Sequence, residues 1–423
     1  MPKKTNEDAT KALVQRLMER IGKTVRSTRY GRVTYVIGNN GTGKSRILAE
    51  LAKRLGEEHP RRAVACIANS VHDRFTFGDH GRVRYLGARN APNAVFQSAV
   101  DRQLCRFVLQ AMNADHRHFT RLSEATNMEL TFSIGLESLE KIERLDEHVP
   151  SESRATERIR KRAERHDLLG GRSLGLLRRI KGGDGRFSSL TQPQIRVLLQ
   201  YLDLNIDITV RVGLPDGSAI PFGALSTGEQ NRMLLLAKMV SAMEEGAVFL
   251  IDEPEISLHL HWQMELHQTI VKLMAGLSRF HLVIATHAPI IISEAARMDT
   301  DRQNMVAVLR RVSEDGKRLQ DLGPGVGKMA FDMHTFDEVA SHEQLVLRHF
   351  QTAPYAAREI SVEIADTVLN VADGVAKDVE AVSLLRDLRS AKGLPTKAVE
   401  QIDAAISLIE RDLVTSIRGS ATR

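Results

Sequence analysis

Apolar positions along this chain follow two rhythms, one of period near four and one of short unbroken runs. Leu13, Leu17 and Ile21 recur every fourth residue, which predicts an amphipathic helix over residues 7 to about 28. The β-branched run Arg32-Val-Thr-Tyr-Val-Ile37 then reads as a buried strand. From Lys44 to about Gly56 the apolar residues Ile47, Leu48, Leu51, Ala52 and Leu55 return to helical spacing, so strand, glycine loop and helix succeed one another directly. Ala63-Val-Ala-Cys-Ile-Ala68 is a second strand candidate.

Between about 95 and 200 the pattern is mainly helical. Arg and Lys are dense from Ser151 to Arg186, with glycine pairs at Gly170-Gly171 and Gly182-Gly183, and the stretch reads as an insertion with mobile parts. Strand patterning resumes at Ile206-Asp-Ile-Thr-Val-Arg-Val212, followed by the turn Pro215-Asp-Gly217. Two further apolar runs, Gly246–Ile251 and His281–Ala285, flank a helix starting near Leu258, the signature of parallel strands joined by a crossover. Beyond about residue 330 the chain reads as helical, without strand runs. Ile402, Ile406, Ile409 and Leu413 make one apolar face of a terminal helix that begins after Pro395-Thr396. That face requires cover, either from the chain itself or from a second copy or an effector.

These elements predict an α/β fold with a mostly parallel core sheet that is split in sequence. Residues 1–95 and 205–330 supply the two parts of the core and meet in one sheet; residues 96–204 form a helical insertion, and residues 331–423 a helical region for partners or assembly.

Composition changes this picture little. With 42% hydrophobic and 26% charged residues the chain is an ordinary globular one, not a disordered or fibrous one. No run approaches the roughly 18–20 apolar residues that a membrane-spanning helix needs, and Met1–Asp8 lacks an apolar segment behind it, so a cytoplasmic protein without membrane contact is expected. Cys66 and Cys105 lack metal-ligand spacing and read as buried thiols. The net charge of +6 permits contact with nucleic-acid phosphates. The cluster Arg158, Arg160, Lys161, Arg162 and Arg165 has few aromatic neighbours, which favours backbone contact over base reading; a solvated helix face is the plainer account.

Four motifs carry chemistry. Gly38-Asn-Asn-Gly-Thr-Gly-Lys-Ser45 fits the phosphate-binding loop, in which residues 38–43 offer backbone N–H groups to the phosphates of ATP. In it Lys44 reaches the β and γ phosphates and the Ser45 hydroxyl ligates Mg²⁺. The adjacent helix N-terminus adds positive potential. Phe249-Leu-Ile-Asp-Glu-Pro254 ends an apolar strand in two acids: Asp252 suits the Mg²⁺ shell, and Glu253 suits orienting and deprotonating water. Leu225-Ser-Thr-Gly-Glu-Gln230 opens a helix, where Ser226 and Glu229 also satisfy a plain capping box. Ala285-Thr-His287 follows the second apolar strand.

Taken in chain order, with the phosphate loop first, then Leu225–Gln230, the paired acids and His287, the motifs resemble those of ABC-type ATPases. Leu225-Ser-Thr-Gly-Glu229 is most similar to the signature of SMC-like and RecF-like members, and the resemblance implies that Ser226 and Gly228 bind the γ-phosphate held by a second copy. A homodimer, or a higher oligomer, would then close around two Mg-ATP molecules. It also implies that His287 is the switch histidine and that a glutamine senses Mg²⁺, for which Gln97 is the candidate. Pro254-Glu-Ile-Ser-Leu-His-Leu-His-Trp-Gln263 resembles the extended acid stretch of OLD-like and RecF-like AAA ATPases, with Leu260 in place of the usual proline. His259 and His261, two apart at a helix start, cannot share a face and are not expected to hold a metal. Tyr85-Leu-Gly-Ala-Arg89 is similar to ATPase subunits of bacterial phage-defence systems, PtuA of Septu and AriA of PARIS. The resemblance therefore implies an ATP hydrolase that regulates a separate effector, a nuclease, in antiviral defence. The alternative is a RecF-like or SMC-like repair or chromosome-maintenance ATPase; glycines break the insertion too often for a long coiled coil. A transporter ATPase fits least, because Ser45 and Ser226 lie too far apart in sequence.

Overall fold

A computed structural model describes residues 2–26, 31–70, 72–89, 100–134, 136–145, 154–181, 185–204, 206, 208–213, 218–298, 304–312, 328–339, 357–373, 377–389, 394 and 396–420. In chain order the elements are α1 (Pro2–Arg26), β1 (Arg32–Gly38), α2 (Lys44–Glu58), β2 (Val64–Ala68), β3 (Val83–Leu86), α3 (Val100–Ala114), α4 (Arg117–Thr126), β4 (Glu129–Ile134), α5 (Leu136–Arg144), α6 (Arg154–Arg165), α7 (Gly171–Lys181), α8 (Gln192–Leu202), β5 (Ile208–Gly213), β6 (Ala219–Pro221), α9 (Thr227–Ser241), β7 (Ala247–Asp252), α10 (Leu260–Met274), β8 (Phe280–Thr286), α11 (Pro289–Met298), β9 (Met305–Val312), β10 (Lys328–Thr335), α12 (Ala357–Ala372), α13 (Asp378–Arg389) and α14 (Thr396–Ser420). The fold is α/β, with mostly parallel pairing among the strands that carry the motifs. None of the described helices is long and apolar enough to cross a membrane.

The chain divides into two compact units that interleave in sequence. The first comprises Met1–Arg16, Val33–Ile47 and Ala285–Arg423. Within it β1 pairs in parallel with β9, from Thr34 opposite Met305 to Gly38 opposite Leu309, and β10 closes antiparallel on β9. Every residue of β1 after Arg32 is buried, as expected of a strand covered on both faces. The Asn304 side chain accepts from the Val33 amide at 2.7 Å just ahead of β9. β10 is a correction to the helical reading of the chain beyond about 330: all its residues are half-buried, so it shows neither the apolar run of a central strand nor clean alternation.

The same unit holds the three C-terminal helices. Ile402 and Ile409 of α14 are buried with Ile364 of α12 and Ala381, Val382, Leu385 and Leu388 of α13, and Ile406 packs against this cluster. The apolar face of α14 is thus covered by its own chain; the side chain of Leu413 lies outside the described residues. Arg386–Glu410 (2.8 Å) and Arg389–Asp403 (2.5 Å) rim the packing with exposed ion pairs.

The second unit comprises Leu17–Arg32 and Leu48–Ile284. There β2 lies between β3 and β7, parallel to both, with Ala68 opposite Asp252. All described residues of β7 and β8 are buried. A separate three-stranded antiparallel sheet has the order β4-β5-β6. β5 therefore does not rejoin the parallel core as the sequence suggested. Its buried Ile208, Val210 and Val212 alternate with outward Thr209 and Arg211, the pattern of a sheet with one covered face. β4, inside the stretch read as mainly helical, alternates in the same way, and its Phe132 stacks on Phe187 at 4.5 Å between ring centroids.

Candidate functional site

In the first unit the phosphate-loop motif occupies the turn between β1 and α2. Gly41 and Gly43 have φ of 78° and 100°, a left-handed backbone that glycine adopts without steric cost. Thr42 folds back on Asn39, its amide and hydroxyl both donating to the Asn39 carbonyl at 3.2 and 2.8 Å. Lys44, only 5% exposed, donates from Nζ to the Gly38 carbonyl at 2.8 Å, so its ammonium reaches back across the loop. Asn39, Asn40 and Gly41 are exposed and Ser45 is half-buried at the start of α2. Arg311 on β9 donates to the Gly41 carbonyl, a cationic brace on the loop that no motif announced. His287 is exposed immediately after β8, where the Thr286 hydroxyl turns the chain by accepting from the Ala288 amide at 3.0 Å.

In the second unit Asp252 ends β7 with 4% exposure, and Glu253 is the half-buried residue that follows. Glu253 has φ 49° and Ser257 φ 64°, left-handed conformations that cost a side-chain-bearing residue roughly 1–2 kcal/mol each. Between them Pro254–Ile256 turn tightly, and the Gln263 amide ties the turn to α10 by donating to the Leu258 carbonyl at 2.9 Å.

Ser226 caps α9. Its hydroxyl accepts from the Glu229 amide at 3.3 Å, and the Glu229 carboxylate accepts from the Ser226 amide and hydroxyl at 2.9 and 2.8 Å. The capping box is therefore formed, and Ser226 is still exposed at a helix end with N–H donors. Gly228 is buried against the acid turn: a Cβ there would stand 2.6 Å from the Ser257 carbonyl and 3.2 Å from the Trp262 ring. Arg232 reinforces the contact, its guanidinium 5.4 Å from the Trp262 ring centroid. The unit thus brings the signature and the acid stretch together through Gly228, Ser257 and Trp262. His259 and His261 are both exposed; His261 pairs with Glu265 at 3.2 Å, and His259 meets Trp262 edge-on.

Two residues in this unit that no motif announced, Lys238 and Asp73, hold further polar contacts. Lys238 of α9 is buried and donates to the Ala68 carbonyl at 2.9 Å, at the strand position opposite Asp252. Burial pushes its pKa down to about 8, against the opposing pull of Asp73. Tyr85 and Arg89 converge on Asp73, the phenol donating at 2.8 Å and the guanidinium at 2.7 Å. Burial, then the Asp73 bond, pushes the Tyr85 pKa up to about 12. The Tyr85–Arg89 stretch, which starts in β3 and runs past its end, is thereby a half-buried polar knot around buried Asp73. The basic helix α6 is a solvated face in which Lys161 pairs with Glu157 and Arg162 with Asp203. Gln97 lies outside the described residues.

Each unit by itself carries part of what Mg-ATP requires: in the first, glycines in left-handed turns expose the loop's amides and Ser45 has a hydroxyl, and in the second Asp252 has a carboxylate, both hard oxygen donors of the kind Mg²⁺ takes. Among the described residues no group of three His, Cys, Asp or Glu side chains could hold a metal by itself.

Residues 123–293 match the family model described as "AAA domain, putative AbiEii toxin, Type IV TA system". The match includes Ser226, Gly228, Asp252, Glu253 and His287, and starts well after the phosphate loop. No curated protein sequence matches the chain. Among solved structures, one described as an inward-facing conformation of "a putative metal-chelate type ABC transporter" is similar at 12% identity and a TM-score of 0.29, covering 76% of this chain and 78% of the other. The Smc head domain of Pyrococcus furiosus, with an extended coiled coil and bound to the C-terminal domain of ScpA, is similar at 12% identity and a TM-score of 0.29, covering 74% and 92%. The chain thus carries a phosphate-loop motif followed by a segment similar to an AAA domain.

Proposed function

We propose that the chain is an ATPase of the ABC/AAA class, in which two copies close around two Mg-ATP molecules and hydrolyse them. The observation that carries this reading is the phosphate loop itself, with Gly41 and Gly43 left-handed and the Lys44 ammonium drawn into the loop. When bound, Mg²⁺ neutralises phosphate charge as it builds in the transition state. Lys44 and the loop amides hold the β and γ phosphates, while Ser45 and Asp252 hold the metal. Glu253 accepts the proton of the attacking water, and its left-handed backbone sets the direction of its carboxylate. His287 orients that water. Exposed Ser226, with the amide of Gly228, completes the site of the opposite copy.

The finer reading is that the ATP state of this cytoplasmic dimer, or of a higher oligomer, governs a separate effector nuclease in antiviral defence. Its support is the resemblance of Tyr85–Arg89 and of the stretch after Glu253 to phage-defence ATPases, and the toxin named in the matched family's description is compatible with it. Backbone contact between nucleic acid and the exposed arginines of α6 belongs to the same proposal.

Glu253→Gln tests the core of this reading. Nucleotide binding measured by calorimetry is expected to persist, and steady-state hydrolysis to fall by roughly a hundredfold or more. A nucleotide-bound dimer should then accumulate in size-exclusion chromatography with light scattering. Wild-type turnover in this variant would remove Glu253 from the role of base.

A further inference from the structure

The second unit has a cavity of about 490 Å³ at the end of the sheet where β2 and β7 begin. It is lined by residues 58–63, 244–246 and 279. Since Asp252 is at the far end of β7 and a strand rises about 3.3 Å per residue, the cavity lies roughly 20 Å from the acids of the proposed nucleotide site.

Its lining holds three carboxylates and three arginines, but two of the arginines are left out of the pairing. Three carboxylates line it, and each is already engaged: Glu58 with Arg54 at 2.6 Å, Glu244 with Arg82, and Glu245 with Arg279 at 3.8 Å. Glu245 also accepts from the Ser278 and Arg279 amides at 2.8 and 3.1 Å. Arg61 and Arg62 have no such partner: among the described residues neither guanidinium makes an ion pair or hydrogen bond, and Nη1 of Arg62 is fully buried without an acceptor. Behind Arg62 the positive charge continues. Arg32, the first residue of β1, has a buried Nε without an acceptor. Buried His281 has its pKa pushed down to about 3, first by burial and then by Arg20, Arg32 and Arg62, so it is neutral. A guanidinium does not shed its proton, so this cluster stays positive, and its buried N–H groups lack the acceptor that an anion would bring.

We infer that this cavity is a binding site for a phosphoryl anion, with Arg61 and Arg62 supplying the planar N–H forks that take its oxygens. Two sources share this chemistry, a free phosphorylated small molecule and a phosphate of a nucleic-acid backbone. The inference is independent of the nucleotide site, because none of its residues belongs to that site.

The test uses the full chain in a Lys44→Ala background, which silences the phosphate loop. Inorganic phosphate is expected to raise the thermal midpoint of this chain above a sodium chloride control of equal ionic strength, and to leave the Arg61→Gln/Arg62→Gln chain unmoved. In a second arm, fluorescence anisotropy follows a labelled DNA duplex. If the backbone is the source, the double variant binds the duplex at least about tenfold more weakly and its salt slope falls by about two. A lost phosphate response with unchanged duplex affinity identifies a free ligand. The site is overturned if neither arm differs between the two chains. Should the double variant fail to fold, Arg61→Gln alone, at an exposed position, must weaken the response in one arm, and an unchanged response in both overturns the site equally.

Discussion

Two turns, each at the end of a buried strand, need left-handed backbone, and they obtain it in opposite ways. The loop after β1 uses glycine, with Gly41 and Gly43 in open space where φ is positive. The turn after β7 uses Glu253 and Ser257, residues that pay sterically for the same conformation. In the proposed function the loop can dispense with side chains at these positions, because its working groups are amide N–H donors to a phosphate. In the proposed function the Glu253 carboxylate is the working group, so glycine there would relieve the backbone and remove that chemistry. Strain at one turn and its absence at the other thus match the roles proposed for them, side chain at Glu253 and main chain in the loop.

The widest gap between the two regions should appear when they are disabled in separate chains. Lys44→Ala removes the phosphate anchor of one site and Ser226→Arg blocks the signature that completes the other; each variant alone should be inactive. Mixed in equal amounts, they should regain part of the turnover, because one composite site per mixed dimer is intact. No recovery after confirmed subunit exchange would leave Ser226 as a helix cap only. A smaller effect concerns the loop's backbone: Gly43→Ala, at φ 100°, should cost about 1–2 kcal/mol in urea unfolding and weaken nucleotide binding in calorimetry. The smallest has the opposite sign. Ser257→Gly, at an exposed position with φ 64°, should raise stability by up to about 1 kcal/mol in the same unfolding assay, with hydrolysis retained. A loss of stability in Ser257→Gly would show that the acid turn is not strained and would dissolve the contrast.

Much of the fold was legible because its central strands are buried on both faces. β1, β7 and β8 read as unbroken apolar runs, and the motif residues stand directly after them or at the start of the helices that follow. The second sheet carries its own signal: the alternation in Ile208–Val212 marks a strand with one covered face, which pairs with β4 rather than with the doubly buried strands of the parallel core. The apolar face of α14 signals in sequence that it needs cover, but a stripe cannot name what covers it, and α12 and α13 do so here.

Local order alone determined the elements, the glycine loop with Lys44 and Ser45, the paired acids at a strand end and the cap at Ser226, because each depends on neighbours within a few residues. Tertiary structure decided the rest: the left-handed backbone at Glu253, the seat of Gly228 against Ser257 and Trp262, the Lys238 bond beside Asp252, and the unpaired arginines beneath β2. Those features arise where segments far apart in sequence are pressed together, and there close contact and the scarcity of water fix conformations and charge balances that no single stretch of chain encodes.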